Sequence, residues 1–186
     1  MDSQFPDNLL KGVPRAHSVT ILNDTLTGKP ICCINTTLIS GIRTAAVSGV
    51  MIDEYLRWKK SRKKGLCVGI TGFGPIGQMH LGMILSLFGE HIQQGLLYDI
   101  RKIDESVINS LWLPKTKICS TWQEVFTDSD IFVSCTVLNS AYVDIPPTKG
   151  SLILNVSLRD FQLIVDDWNE VCRENTDIEK MHKLYG

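Results

Sequence analysis

The chain has 186 residues, of which 44% are hydrophobic and 21% charged, the profile of one globular domain or slightly more at roughly 150 residues per domain. With 19 Lys and Arg against 20 Asp and Glu the net charge is −1, so the general attraction that drives non-specific nucleic-acid binding is absent. There is no apolar run of about 18 residues, and MDSQFPDN is acidic and polar where a signal peptide needs basic then apolar residues. A soluble, cytoplasmic protein with neither membrane nor nucleic-acid partner is expected.

In chain order, AHSVTILND and PICCINTTL are β-rich runs separated by polar residues and Gly28, which predicts a hairpin. The stretch SGIRTAAVSGVMIDEYLRWKKSRKK places Ile42, Ala45, Ala46, Val50, Tyr55 and Leu56 at helical spacing, predicting a helix from near Ser40 to before Gly65. Its basic end, Arg57 to Lys64, reads as solvated cations that complement the helix dipole. From Gly65 onwards short apolar runs alternate with helical patterns: LCVGITG, PIGQMHLGMILSLFG, GLLYDI, KICST, WQEVFTDS, DIFVSCTV, SLILNVS and LIVDD. Such alternation implies an α/β fold, a Rossmann-type parallel sheet with helices on both faces. Three parts are expected: the hairpin in 1–40, a nucleotide-binding domain with its leading helix in 41–170, and a helical tail in 171–186. Cys32, Cys33, Cys67, Cys119, Cys135 and Cys172 include no CxxC pair, so disulfides and metal are not expected and the cysteines read as small buried hydrophobes.

The sequence Gly72-Phe73-Gly74-Pro75-Ile76-Gly77 follows one apolar run and opens a helical one. In that context Gly72 permits a tight turn, Gly74 lets a pyrophosphate approach, and Gly77 lets helix and strand pack closely. Pro75 suits a helix start, where no N–H is needed. Asp99 follows the next apolar run, about 20 residues on, where a carboxylate that binds ribose hydroxyls is expected. Such a carboxylate repels a 2′-phosphate, so NAD is favoured over NADP. Arg101, two residues further, weakens that preference without reversing it. His80, three residues past the last glycine, is expected to pack or hydrogen-bond within the helix.

LISGIRTAAVSG, together with ILNDTLTGKPICCIN and GFGPIGQMH, resembles the ornithine cyclodeaminase/mu-crystallin family. Within it, FPDNLLKGVPRAHSVTILND and NVSLRDFQLIVDDWNEVCREN are most similar to the siderophore-pathway branch. That branch forms 2,3-diaminopropionate and 2-oxoglutarate by NAD-dependent oxidation of N-(2-amino-2-carboxyethyl)-glutamate. The resemblance implies a nucleotide-binding domain joined to a substrate and dimerisation domain, hence a homodimer acting on an amino acid. It assigns Arg43 to cofactor phosphate and substrate carboxylate, Asp160 to acid/base chemistry, Thr136 to the nicotinamide side, and Pro75 and Ile76 to the pyrophosphate turn. Asn155 and Ser157, beside Asp160, join the cofactor set. For Arg43 the chemistry agrees, since an arginine opening a helix opposes the dipole unless an anion is present.

Family members carry a preceding segment with a substrate-binding arginine and lysine, and a following segment that completes the substrate domain. Against them this chain reads as a central piece, with weak or absent turnover expected by itself and with hairpin edges left unpaired. Ornithine cyclodeamination, ketimine reduction, a non-catalytic NAD-binding module and an inactive fragment are the alternatives.

Overall fold

The computed structural model describes residues 2–5, 8, 11–14, 16–59, 65–138 and 141–157. The chain forms two compact units, Met1–Thr44 and Ala45–Gly186.

The first unit contains a three-stranded antiparallel sheet in the order β1 (Asp2–Gln4), β2 (Ala16–Asn23), β3 (Pro30–Asn35). The hairpin joining β2 and β3 is closed by Asp24, whose Oδ1 accepts from the Leu26 and Thr27 amides and the Thr27 hydroxyl. Gly28 then takes φ +70°, a conformation that costs glycine little. Contrary to the sequence expectation, the hairpin has a neighbour: β1 pairs with β2, making β2 the central strand. A three-residue strand is too short to carry an alternation signal. Cys32 and Cys33, expected to be buried, are exposed on β3, because in this sheet Val19, Ile21, Leu22 and Ile31 are exposed as well.

The helix α1 (Thr37–Trp58) begins three residues earlier than the sequence suggests. Thr37 ties its start to β2 by accepting from the Ser18 amide, while Asn35 Oδ1 accepts from the Thr37 amide. The apolar stripe read from the sequence is also corrected. Ile42 and Val50 are more than half exposed, whereas Ala45, Ser48, Gly49, Ile52 and Tyr55 are buried. Small residues let a helix approach its neighbour closely, and a reading weighted to large apolar side chains misses them.

The second unit is built on a five-stranded parallel sheet. Its strands are β4 (Leu66–Thr71), β5 (Ile92–Tyr98), β6 (Thr116–Ile118), β7 (Ile131–Ser134) and β8 (Leu152–Asn155), in the order β6-β5-β4-β7-β8. The first three strands are laid down outward from β4 and the chain then crosses to its other side. Between β4 and β7 lies the point where strand order reverses, which in open α/β sheets is where ligands bind, beyond the strand C-termini.

Side-chain alternation distributes the core to two faces. Leu66, Val68 and Ile70 of β4 join Leu97, Ile131 and Val133 against Ile52 and Tyr55 of α1 and Leu81, Ile84 and Leu85 of α2 (Pro75–Phe88). Their neighbours Leu96 and Phe132 point oppositely, against Val125 and Phe126 of α3 (Trp122–Thr127). Both faces are therefore covered by helices, as the unbroken apolar runs imply. Thr121 caps α3 by accepting from the Glu124 amide. The LIVDD run, at 163–167, and the tail 171–186 lie outside the described residues. No described helix is long and apolar enough to cross a membrane.

At the opposite, N-terminal end of the strands, Tyr55 fastens α1 to the sheet. Its hydroxyl donates to the Gly150 carbonyl at 2.8 Å, lies 3.3 Å from the Asp130 carbonyl, and accepts from Lys59 Nζ at 2.6 Å. Lys59 also pairs with Asp130 Oδ1 at 3.4 Å, and Asp130 Oδ2 accepts from the Cys67 amide. Of the basic run, then, Lys59 is not merely solvated, while Arg57 pairs with Asp53 and Glu54. Tyr55→Phe removes the hydroxyl and leaves the ring in place, and is expected to lower unfolding free energy by about 1–2 kcal/mol, the usual cost of a lost part-buried hydrogen bond. Urea unfolding checks this as a lower midpoint at unchanged slope.

Candidate functional site

The glycine turn sits between β4 and α2, at the reversal point of the sheet. Gly72 holds φ +81° and donates its amide to the Tyr98 carbonyl at 2.9 Å. A Cβ on Gly72 would lie 2.6 Å from the Cys135 carbonyl and 2.8 Å from the Thr136 amide nitrogen. A Cβ on Gly77 would lie 2.3 Å from the Gly72 carbonyl oxygen. These two positions are closed by backbone. Gly74 differs, for a Cβ there would meet only an Arg101 guanidinium nitrogen, at 3.9 Å. The turn is thus tight where it is packed and open where it faces outward.

The start of α2 is free to receive an anion. Gly74 is its N-cap, no side chain caps it, and no acidic residue stands in its first turn. Pro75 begins the helix, and the first free amides are those of Ile76 and Gly77, since Gln78 already donates to the Gly74 carbonyl. Uncapped amides at the positive end of the helix dipole suit phosphate oxygens.

Asp99, immediately after β5, has a side chain only 8% exposed. Its Oδ2 accepts from the Phe73 amide at 2.8 Å and its Oδ1 from the Arg101 amide at 2.8 Å. The carboxylate therefore holds the turn itself, a task the sequence gave no sign of. A carboxylate has roughly four acceptor positions, so the two backbone donors and Arg101 Nε leave capacity for a ribose hydroxyl. Arg101 Nε lies 3.4 Å from Asp99 Oδ1, with the arginine side chain 60% exposed.

The C-terminal ends of β7 and β8 lie at the same end of the sheet as the glycine turn. Thr136 follows Cys135, whose amide donates to the Thr71 carbonyl. Ser157 Oγ donates to Asn155 Oδ1 at 3.0 Å and lies 3.1 Å from Ser134 Oγ, while its amide donates to the Ser134 carbonyl. Gly72, Gly74, Pro75, Ile76, Gly77, Asp99, Arg101, Thr136, Asn155 and Ser157 thus all stand at the C-terminal ends of the parallel strands or in the turns that follow. Arg43 belongs to the first unit, exposed on the second turn of α1 rather than at its opening. Asp160 lies outside the described residues.

Two side chains brace the turn: Tyr142, which no sequence signal marked, and His80, which bonds within its helix as expected. Tyr142, in the segment after β7, places its hydroxyl 2.7 Å from Thr71 Oγ1 and its ring edge-on to Trp122. One tyrosine in a loop offers no periodicity by which to find it. The second is His80, which is fully buried. Its Nδ1 lies 2.8 Å from the Ile76 carbonyl, an acceptor only, so Nδ1 carries the proton and Nε2 accepts from Ser48 Oγ at 2.9 Å. Burial holds the imidazole below the usual histidine range, against the opposing effect of the Ile76 carbonyl. Of the cysteines, Cys119 is buried as expected, and burial pushes its thiol up to about 11.

This arrangement defines a class: an α/β domain whose glycine turn, open helix N-terminus and strand-end carboxylate are built for a dinucleotide. The family model for the ornithine cyclodeaminase/mu-crystallin family matches residues 2–148, and the chain belongs to that family. It is 31% identical to N-((2S)-2-amino-2-carboxyethyl)-L-glutamate dehydrogenase of Staphylococcus aureus (strain NCTC 8325 / PS 47), over 92% of this chain and 54% of that one. Among solved structures it is similar to Thermococcus litoralis Δ1-pyrroline-2-carboxylate reductase in complex with NADH and L-proline. There the identity is 29% and the TM-score 0.63, over 76% of this chain and 43% of the reductase. CmnK shares the fold at 22% identity and TM-score 0.75, covering 98% of this chain and 57% of that one. The chain spans about half the length of these relatives.

Two outcomes follow from the packing. Gly77→Ala is expected to destabilise by about 1–3 kcal/mol, the range for forcing atoms into filled space, whereas Gly74→Ala is expected to lower the urea midpoint much less. His80 gives the pH dependence. With its folded pKa below the unfolded value of about 6.5, the unfolded chain binds the proton more readily, so stability falls as pH drops below that value. Urea midpoints at pH 7.5 and 5.5 should show the loss, and His80→Gln should flatten it.

Proposed function

We propose that the chain carries the NAD-binding part of an oxidoreductase of amino-acid metabolism, of the kind that cleaves N-(2-amino-2-carboxyethyl)-glutamate to 2,3-diaminopropionate and 2-oxoglutarate. The observation that carries this reading is the open space at Gly74 beneath an uncapped helix N-terminus. A structural glycine turn has no need of either feature. The residues fit the group: Ile76 and Gly77 offer amides to a pyrophosphate, and Asp99 offers remaining acceptor capacity to a ribose hydroxyl. The identity to the Staphylococcus aureus enzyme over most of this chain favours that substrate class over ornithine or a cyclic ketimine.

Bound there, the nicotinamide supplies a hydride acceptor. The chain's residues have the remaining tasks. Thr136, Asn155 and Ser157 line the nicotinamide side of the crevice, beyond the ends of β7 and β8. Arg43 forks onto a carboxylate or phosphate oxygen, using donors that a planar guanidinium presents in pairs. Asp160 exchanges the proton when water adds to the oxidised carbon and the amine departs. A homodimer and a cytoplasmic location accompany this reading.

Calorimetric titration of the purified chain with NAD and NADP is the direct test. Binding of NAD, with NADP weaker because Asp99 opposes a 2′-phosphate, is the expected result, and Gly74→Val should abolish it while the fold persists. Binding of neither dinucleotide would overturn the proposal. Production of proline and ammonia from ornithine by the chain joined to its complementary segments would overturn the substrate assignment alone.

A further inference from the structure

Arginine two residues after a strand-end aspartate invites the view that it receives the 2′-phosphate of NADP. The geometry points elsewhere. Asp99 Oδ1 holds both the backbone amide of Arg101, at 2.8 Å, and its Nε, at 3.4 Å. This double hold turns the guanidinium back over the glycine turn. One of its terminal nitrogens then stands 3.9 Å from where a Cβ on Gly74 would be, the nearest atom to that otherwise open position. That is the space a pyrophosphate occupies when the second glycine of such a turn admits it. The ribose hydroxyls, and any 2′-phosphate, belong instead at the Asp99 carboxylate, whose own charge repels a phosphate.

We infer that Arg101 grips the pyrophosphate of the dinucleotide and takes no part in choosing between NAD and NADP. The inference rests on the dinucleotide reading and deepens it by naming which phosphates the arginine meets. In this arrangement Asp99 is a positioning residue for Arg101 as well as a ribose acceptor, and one carboxylate organises both the turn and its cation. The guanidinium retains its terminal N–H groups for the ligand while Nε is engaged. Being 60% exposed, it reaches the phosphates from the solvent side.

The test is calorimetric titration of the full chain, wild type and Arg101→Ala, with NAD and with NADP. The expected result is that both dinucleotides weaken by the same factor, about tenfold for a solvent-exposed charge-assisted contact, leaving their ratio unchanged. Arg101→Lys, which keeps the charge without the fork, should recover part of the loss for both ligands. An exposed side chain carries little of the fold, so urea midpoints of the variants should match wild type. A loss confined to NADP would overturn the inference and restore the 2′-phosphate role, and so would unchanged affinity for both. Failure of the wild type to bind either dinucleotide would overturn the underlying reading, and this inference with it.

Discussion

The site depends on a single close approach between two backbone segments. The Gly77 backbone lies so near the Gly72 carbonyl that a Cβ would come within 2.3 Å of it, and Gly72 in turn is wedged against Cys135 and Thr136. Only there can β4 turn directly into α2 while the end of β7 runs alongside. Because β4 and β7 are neighbours across the reversal point, this wedge also fixes the floor of the crevice. Any side chain at either glycine would push the helix off the strand, and with it the amides that face the ligand.

Polar groups reinforce the wedge from several sides. Asp99 clamps the Phe73 amide from β5, Tyr142 holds the end of β4 through Thr71, and His80 joins α2 to Ser48 of α1. Each of these groups is buried or half-buried and each has its partner, as interior polar groups require. The consequence is a rigid frame around one open position. Gly74 faces outward, the α2 amides face the same space, and Arg101 stands over it. Preorganised donors of this kind bind an anion without first having to be ordered.

The second unit's frame contrasts with the sheet of the first unit, where Val19, Ile21, Leu22 and Ile31 are exposed. Two β-rich runs flanking polar residues and Gly28 were enough to predict the hairpin, because a turn closed by Asp24 and Gly28 is a local event. The neighbour strand β1 was not predictable, since three residues give no period. In α1, likewise, the sequence announced a helix and placed Ala45 and Tyr55 on its buried face, but it also placed there Ile42 and Val50, which are exposed, and passed over Ser48, Gly49 and Ile52. Which residues are buried depends on where α2 and the sheet lie.

By itself the sequence determined the βαβ alternation, the position of the glycine turn and the carboxylate at the following strand end. Those features are set by local conformation: positive φ at Gly72, proline at a helix start, apolar runs of strand length. Tertiary structure alone decided what Asp99 holds, where Arg101 points, and which hydroxyls and imidazole brace the turn. Apart from the Asp99–Arg101 hold, the decisive contacts are between residues far apart in the chain, such as Phe73 with Asp99, Thr71 with Tyr142 and Ser48 with His80. No spacing rule encodes them, because they exist only once strand order brings distant segments to the same end of one sheet.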